Sequence, residues 1–323
     1  MTKNNLLRTT LFAVLLGIAA IAAAQPYPSR AVRIVIPLGT GGTTDIPGRI
    51  VAQRLSEALG QPFVVENRPG AGGTIGADYV AKSKPDGYTL LLTATPHVIT
   101  ANLYKNLPYN ALADFAPVIR VASGPYVLTV HPSLGVSTVR ELIAMAKANP
   151  GKIDYASSGN GSAQHLVGAL FAHMAGIDLT HVPYKGSSQA QADLVAGVVK
   201  VGFPGTPIVI PHVKAGRLKA IAVTTTKRSS QMPEVPTIAE SGVPGYEALV
   251  WVGLLAPAGT PQDIIAKLNA EITKLLRASD VVQLFAASGV DPTPTTPEEF
   301  GAYLKSEFDK WGKAVRDSGA QVN

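Results

Sequence analysis

Val32-Arg33-Ile34-Val35-Ile36-Pro37-Leu38-Gly39-Thr40-Gly41-Gly42-Thr43-Thr44-Asp45 is an apolar strand running into a turn of glycines and hydroxyls. Behind it, Ile46, Ile50, Val51, Leu55 and Leu59 recur at helical spacing. The first four N–H groups of a helix have no partner inside that helix, so a turn placed here offers donors to whatever lies in front of it. The stretch reads as strand, anion socket and helix.

The pattern repeats outward. Phe63-Val64-Val65 leads through Pro69-Gly70-Ala71-Gly72-Gly73-Thr74 to a short helix at Ala77, Val80 and Ala81. Tyr88-Thr89-Leu90-Leu91-Leu92 is a buried strand by its continuous apolarity and exits at Thr93-Ala94-Thr95-Pro96-His97. A second unit starts in the extended segment Val118 to Val130, and a helix through Leu142, Ile143 and Ala146 is stopped by Asn149-Pro150-Gly151. Ile153-Asp154-Tyr155-Ala156 re-enters the sheet, and Ser157-Ser158-Gly159-Asn160-Gly161-Ser162 opens a helix through Leu166, Val167, Leu170 and Phe171. A third such turn, Pro183 to Ser188, precedes Ala190, Leu194 and Val195.

After the strand Leu218 to Val223 comes a loop rich in Ser, Pro and Glu from Thr224 to Tyr246, then Val250 to Leu255, with Trp251 expected in the core. Two helices close the chain. Thr260-Pro261-Gln262-Asp263 reads as cap, first-turn proline and first-turn acid, and Thr296-Pro297-Glu298-Glu299 as a capping box. Alternating strands and helices predict an α/β fold with largely parallel sheets. Two such lobes, with the chain crossing to the second and back, would set their glycine turns on facing edges of a cleft.

The length of 323 residues suits two domains, and 46% apolar with 15% charged content describes a globular core. No cysteine is present, which excludes disulfides, thiolate nucleophiles, zinc–thiolate sites and a lipid-bearing cysteine. Lys3 and Arg8, the apolar stretch Leu11 to Ile21 and Ala22-Ala23-Ala24 have the layout of a secretory signal cleaved near Ala24. The apolar run is short of the ~20 residues that a spanning helix needs. The mature chain is therefore expected to be soluble and outside the cytoplasm. The formal charge of +6 is scattered, with no basic cluster interleaved with aromatics, so nucleic acid is not expected as a partner. A mild positive field suits an acidic small molecule, and equally suits solubility.

No turn matches G-x-x-x-x-G-K-[ST], and Gly70-Ala71-Gly72-Gly73-Thr74-Ile75-Gly76 misses the G-x-G-x-x-G spacing, so nucleotide binding loses its main support. The turns carry hydroxyls and no arginine, which points to a carboxylate held mainly by N–H and O–H groups. The rival is a secreted α/β hydrolase using Ser162 and His165, three apart on one helix face, but there is no G-x-S-x-G elbow and no acid placed to orient the imidazole. The other histidines, His97, His131, His173, His181 and His212, lack metal-ligand spacing. No catalytic residue, metal or cofactor is assigned. Lys185 has two readings, a partner for an acidic ligand and a solvated loop lysine.

The chain resembles the extracytoplasmic receptors of tripartite tricarboxylate transporters, the Bug-type solute-binding proteins. Arg33-Ile34-Val35-Ile36-Pro37 with Gly41-Gly42-Thr43-Thr44-Asp45, Val65-Glu66-Asn67-Arg68-Pro69-Gly70-Ala71-Gly72-Gly73, and Pro85-Asp86-Gly87-Tyr88-Thr89-Leu90 carry the likeness. So do Tyr155 to Ser162 with His165-Leu166, Val182-Pro183-Tyr184-Lys185-Gly186, and Leu255-Ala256-Pro257-Ala258-Gly259-Thr260-Pro261.

The resemblance implies a type II periplasmic-binding-protein-like fold, a monomer that closes on a small carboxylate and delivers it to membrane permease subunits. A sensory receptor for a carboxylate would share these features. Residues 1–24 would be the signal, 25–122 and 225–323 one lobe, and 123–224 the other. By motif, the implied ligand-binding residues are Leu38, Thr40, Gly41, Gly42 and Thr43; Thr95 and His97; Ser157, Ser158, Asn160, Gly161, Ser162 and His165; and Pro204, Gly205 and Thr206. Leu38-Gly39-Thr40 stands where the family commonly shows Phe and a proline, and Phe203-Pro204-Gly205 where many members read Phe-Asp-Asn. Pro204 removes both a charge and an N–H, so an acid without an amino group is expected.

Overall fold

The computed structural model describes residues 27–41, 43–104 and 106–318. The expected signal segment and Gly42 lie outside them. In chain order the strands are β1 (Val32–Ile36), β2 (Phe63–Asn67), β3 (Thr89–Ala94), β4 (Phe115–Pro125), β5 (Val127–Val130), β6 (Asp154–Ser157), β7 (Thr180–Pro183), β8 (Val201–Gly202), β9 (Lys219–Val223), β10 (Leu249–Pro257) and β11 (Asp291–Pro292). The helices are α1 (Asp45–Leu59), α2 (Thr74–Ala81), α3 (Pro96–Leu103), α4 (Val139–Ala148), α5 (Ala163–Ala175), α6 (Ser187–Val195), α7 (Thr206–Lys214), α8 (Gln262–Leu275), α9 (Ser279–Ala287) and α10 (Pro297–Ser318).

Among the described residues two sheets form, in the orders β11-β4-β10-β3-β1-β2 and β7-β6-β8-β5-β9. Pairing is mixed, not largely parallel as expected: β1–β2, β1–β3, β6–β7 and β6–β8 are parallel, and β11 runs antiparallel to β4. β10 runs antiparallel to both β3 and β4, and β5 antiparallel to both β8 and β9. β5 and β10 are each the first strand after the chain changes sheets.

Alternation along β1 and β3 sorts the first core. Ile34, Ile36, Leu90 and Leu92 face the layer formed by Val51, Leu55, Leu268 and Phe285 of α1, α8 and α9. Val35 and Leu91 point the other way, into the layer holding Val80, Val98, Phe300 and Trp311 of α2, α3 and α10. Burial on both faces explains why these strands read as continuous apolar runs. Burial of each such side chain contributes about 1.5–3 kcal/mol. Trp251 is wholly buried on β10, edge-on to Phe300.

Local expectations differ from the structure at four places. Ile46 is 41% exposed, because Asp45, Pro47 and Gly48 form the buried side of the first turn of α1 and Ile46 falls on the other side. Thr260 does not cap α8; its hydroxyl donates to the Pro257 carbonyl (2.7 Å), and Pro261 takes the cap position. Pro96 starts helix α3 instead of prolonging a strand exit, since a proline in the first helical turn gives up an N–H that would have no partner there. α9 fills the stretch after α8 that carried no expectation. The capping box of α10 forms, with Thr296 Oγ1 accepting from Glu299 N–H (3.1 Å) and Glu299 Oε2 from Thr296 N–H (2.9 Å).

The chain passes between sheets twice, side by side. Tyr126 follows β4 and Thr224 follows β9. Tyr126 N–H donates to Thr224 Oγ1 (2.8 Å), and Thr224 N–H donates to the Tyr126 carbonyl (3.0 Å).

Gly253 gives the packing of α10 a direct check. A Cβ there would lie 2.2 Å from Phe300 Cζ. Gly253→Ala is expected to destabilise the fold by about 1–3 kcal/mol through overpacking. A urea midpoint equal to that of the wild type would show that the ring is not locked against β10.

Candidate functional site

A cleft of about 510 Å3 opens between the two sheets. Its wall is built from the loops that lead into helices: Leu38, Thr43 and Thr44 before α1, Thr95 before α3, Ser158 to Ser162 before α5, Ser187 at the head of α6 and Gly205 before α7. Five helix N-termini among the described residues thus border one space. Each contributes roughly half a positive charge from its aligned peptide dipoles. The lining carries no Asp, Glu, Lys, Arg or His among the described residues. These dipole ends favour an anion with no cationic side chain among the described lining residues.

The first turn is pegged from behind by Asp45, which is 2% exposed. Its Oδ2 accepts from Gly41 N–H and Arg49 Nε, both at 2.9 Å, and its Oδ1 accepts from Asn67 Nδ2 (2.8 Å). Asn67 Nδ2 also donates to the Leu38 carbonyl (3.1 Å), tying the turn to β2. Burial pushes the Asp45 carboxyl up, and the bonds from Arg49, Gly41 and Asn67 outweigh it, leaving the group below its usual range. Gly41 has φ +77°, where a side chain would be strained.

The second turn uses many of its own donors. Ser158 N–H donates to Gln164 Oε1 (2.9 Å), Gly159 N–H to Ser157 Oγ (3.1 Å), Gly161 N–H to His165 Nδ1 (3.0 Å) and Ser162 N–H to the Gly159 carbonyl (3.2 Å). Ser162 caps α5, its Oγ accepting from His165 N–H (3.3 Å). The His165 ring is engaged elsewhere, so no Ser–His dyad forms. The backbone donors expected to face a ligand are in large part bonded within this turn.

Eight residues drawn from sequence stand on the cleft wall: Leu38, Thr43, Thr95, Ser158, Asn160, Gly161, Ser162 and Gly205. Thr40 and Gly41 are exposed outside it, and Gly42 lies outside the described residues. Ser157, His97, His165, Pro204 and Thr206 are buried behind the wall. His97 Nε2 donates to the Ala111 carbonyl (2.9 Å) beside Phe115, and burial lowers the ring to about 4. The Pro204 carbonyl accepts from Val127 N–H (2.8 Å), and the Thr206 hydroxyl has no partner among the described residues. Lys185 is exposed and off the cleft. The residues missed are chiefly one face of α3 and its end, Pro96, Ile99, Thr100, Leu103 and Tyr104. Their i, i+3, i+4, i+7, i+8 spacing is a helical stripe that the strand-exit reading of Pro96 concealed.

A wider hollow of about 830 Å3 lies at the other end of β1 to β3, between Arg30, Arg33, Glu66, Tyr79 and Asp86. Four of its charges pair with one another, Arg30 with Asp86 and Arg33 with Glu66, each at 3.2 Å. No helix begins among its lining residues, so the cleft is the candidate site.

Residues 48–320 match the family described as the tripartite tricarboxylate transporter family receptor, TctC. The chain belongs to this family. It is 40% identical to protein BugT of Bordetella pertussis over 97% of its own length and 96% of that protein's. It is similar to the R. palustris protein Rpa4515, solved with adipate (38% identity, TM-score 0.78, 92% of this chain and 100% of that one). MatC from Rhodopseudomonas palustris, solved with bound malate, is similar at 32% identity and TM-score 0.74 (90% of this chain, 100% of that one). As a TctC receptor the chain is a periplasmic solute-binding protein of the two-lobed type II fold, and its family is one of receptors, not enzymes. No described helix is long and apolar enough to cross a membrane.

The Asp45 peg carries a pH signature in this receptor. A carboxyl lowered by folding adds stability that is present above its unfolded value, about 3.9, and is lost as pH falls through the folded value. Asp45→Asn is expected to melt lower than the wild type at pH 7 and to show a smaller decline towards pH 3. Parallel melting curves for the two proteins across that range would remove Asp45 from the role.

Proposed function

We propose that this receptor captures a small carboxylate in the cleft, an aliphatic or aromatic mono- or dicarboxylate without an amino group, and delivers it to the membrane permease subunits of a tripartite transporter. The observation that carries the proposal is the meeting of five helix N-termini on a wall that has no charged side chain among its described residues. Such a wall favours an anion and offers an ammonium no carboxylate partner. Adipate and malate in two relatives support the same class.

Residues 25–122 with 225–323 act as one lobe and 123–224 as the other, after export and cleavage near Ala24. The bonded pair Tyr126 and Thr224 is the place where closure bends the chain, because the strands end on either side of it. Leu38 and Thr43 meet the ligand from the first lobe, with Thr95 buried beneath them and its hydroxyl donating to the Leu249 carbonyl (2.9 Å), and Ser158, Asn160, Ser162 and Gly205 meet it from the second. The apolar stripe of Ile99 and Leu103 receives its carbon skeleton.

A thermal-shift screen of the mature chain, refolded free of endogenous ligand, tests the class, since a ligand of the folded state raises the melting temperature. Mono- or dicarboxylates are expected to raise it, and a rise with amino acids or sugars alone would overturn the proposal. Ser162→Ala should weaken carboxylate binding by about 1–2 kcal/mol through the lost hydroxyl. Unchanged affinity by calorimetry would move Ser162 out of the contact set.

A further inference from the structure

Behind the second turn, away from the cleft, two imidazoles lie face to face. The rings of His165 on α5 and His181 on β7 are 3.7 Å apart between centroids with planes 4° apart. His165 is 4% exposed and His181 half-buried. His165 Nδ1 accepts the Gly161 N–H at 3.0 Å, and His181 Nε2 lies 2.6 Å from Ser157 Oγ. Gly161 lines the cleft, and Ser157 holds Gly159 of the same wall through its Oγ. Each ring thus grips one end of the ligand turn.

The bond from Gly161 determines a protonation state. A nitrogen that accepts an N–H carries no proton, so neutral His165 bears its proton on Nε2. A second proton could go only to Nδ1, where it would face the Gly161 N–H donor to donor. It would also place a cation flat against the neighbouring ring.

We propose that His165 and His181 are positioning residues for solute binding: a neutral stacked pair that shapes the Ser157 to Ser162 turn from behind, so that acid undoes the binding surface without any titrating group touching the ligand. This rests on the cleft being the ligand site.

The groups facing the pair support a neutral state. Tyr155 of β6 lies beside both rings, at 6.4 and 5.1 Å between centroids, and its hydroxyl donates to the His165 carbonyl (3.1 Å). Burial raises that phenol, so it stays uncharged. Burial lowers both imidazoles to about 4, with His181 adding to the effect at His165, and no carboxylate acts on either ring. α5's other histidine, His173, sits at the far end of the helix near Asp317 and Lys313. The turn should therefore hold from neutral pH down through the range where an ordinary histidine charges, about 6.5. It should fail as pH approaches 4.

The test uses the mature chain, with adipate as probe and the Gly161 amide as a readout that needs no ligand. His165→Ala removes the acceptor. It is expected to lower Gly161 hydrogen-exchange protection about tenfold and to weaken adipate binding by a similar factor, while circular dichroism reports a folded protein. His165→Asn supplies a carbonyl oxygen near the Nδ1 position that does not titrate. It should restore both quantities to within about threefold and keep Gly161 protected at pH 4, where the wild type loses it. His181→Gln, which retains a polar group near Nε2, serves as the second variant should His165→Ala fail to fold. It should leave Gly161 protected at pH 7. Comparing proteins at each pH cancels the protonation of adipate itself.

Equal Gly161 protection in the wild type and His165→Ala would overturn the proposal, as would an Asn variant as acid-sensitive as the wild type. If adipate and other carboxylates bind none of the proteins, the carboxylate reading fails separately and the exchange data still decide the role of the pair.

Discussion

A parallel strand followed by a helix leaves the helix's first-turn N–H groups at the strand's C-terminal edge, and here two sheets built that way face each other across one space. Every βα turn on those edges must either satisfy its polar groups internally or present them to the cleft. The fold therefore concentrates positive dipole ends where the described lining has no charged side chain. The anion preference proposed for the cleft would follow from topology before any one side chain is considered.

The two principal turns meet the constraint differently. The first is held by a buried carboxylate, with Asp45 joining Gly41, Arg49 and Asn67. The second is held by neutral groups, with Gln164, His165 and Ser157 absorbing backbone donors. An ionised peg beneath the second turn would set a negative charge behind the wall that has to receive an anion. Beneath the first, Arg49 balances the charge of Asp45. The antiparallel strands β5 and β10 are tied to the same crossing: β5 starts right after Tyr126, and Ala248, just before β10, donates its N–H to the Thr224 carbonyl (3.0 Å).

Much of this was legible locally. Continuous apolar runs marked β1 and β3, the glycine turns after β1 and β6 marked the candidate cleft, and Thr296 with Glu299 marked the start of α10. The reading failed where a local signal has two meanings. Thr95-Pro96-His97 serves as a strand exit or as the first turn of a helix, and choosing the exit hid the α3 stripe from Ile99 to Tyr104. Ser157 and His165 were drawn into the site by proximity in sequence, yet a turn has two sides. Packing against His181 and Tyr155 turned both residues inward.

Chain order and residue type alone determined the α/β class, the absence of thiol chemistry, the family likeness and the hydroxyl character of the ligand turns, because these depend on periodicity and composition within short windows. Which side of each turn meets the cleft, which donors are already bonded, and which histidines face each other were decided only by the tertiary structure. His165 and His181 belong to different elements, and nothing in their separate neighbourhoods requires their rings to stack. They meet because β6 and β7 pair in parallel and α5 packs over that pair, bringing residues sixteen positions apart to 3.7 Å.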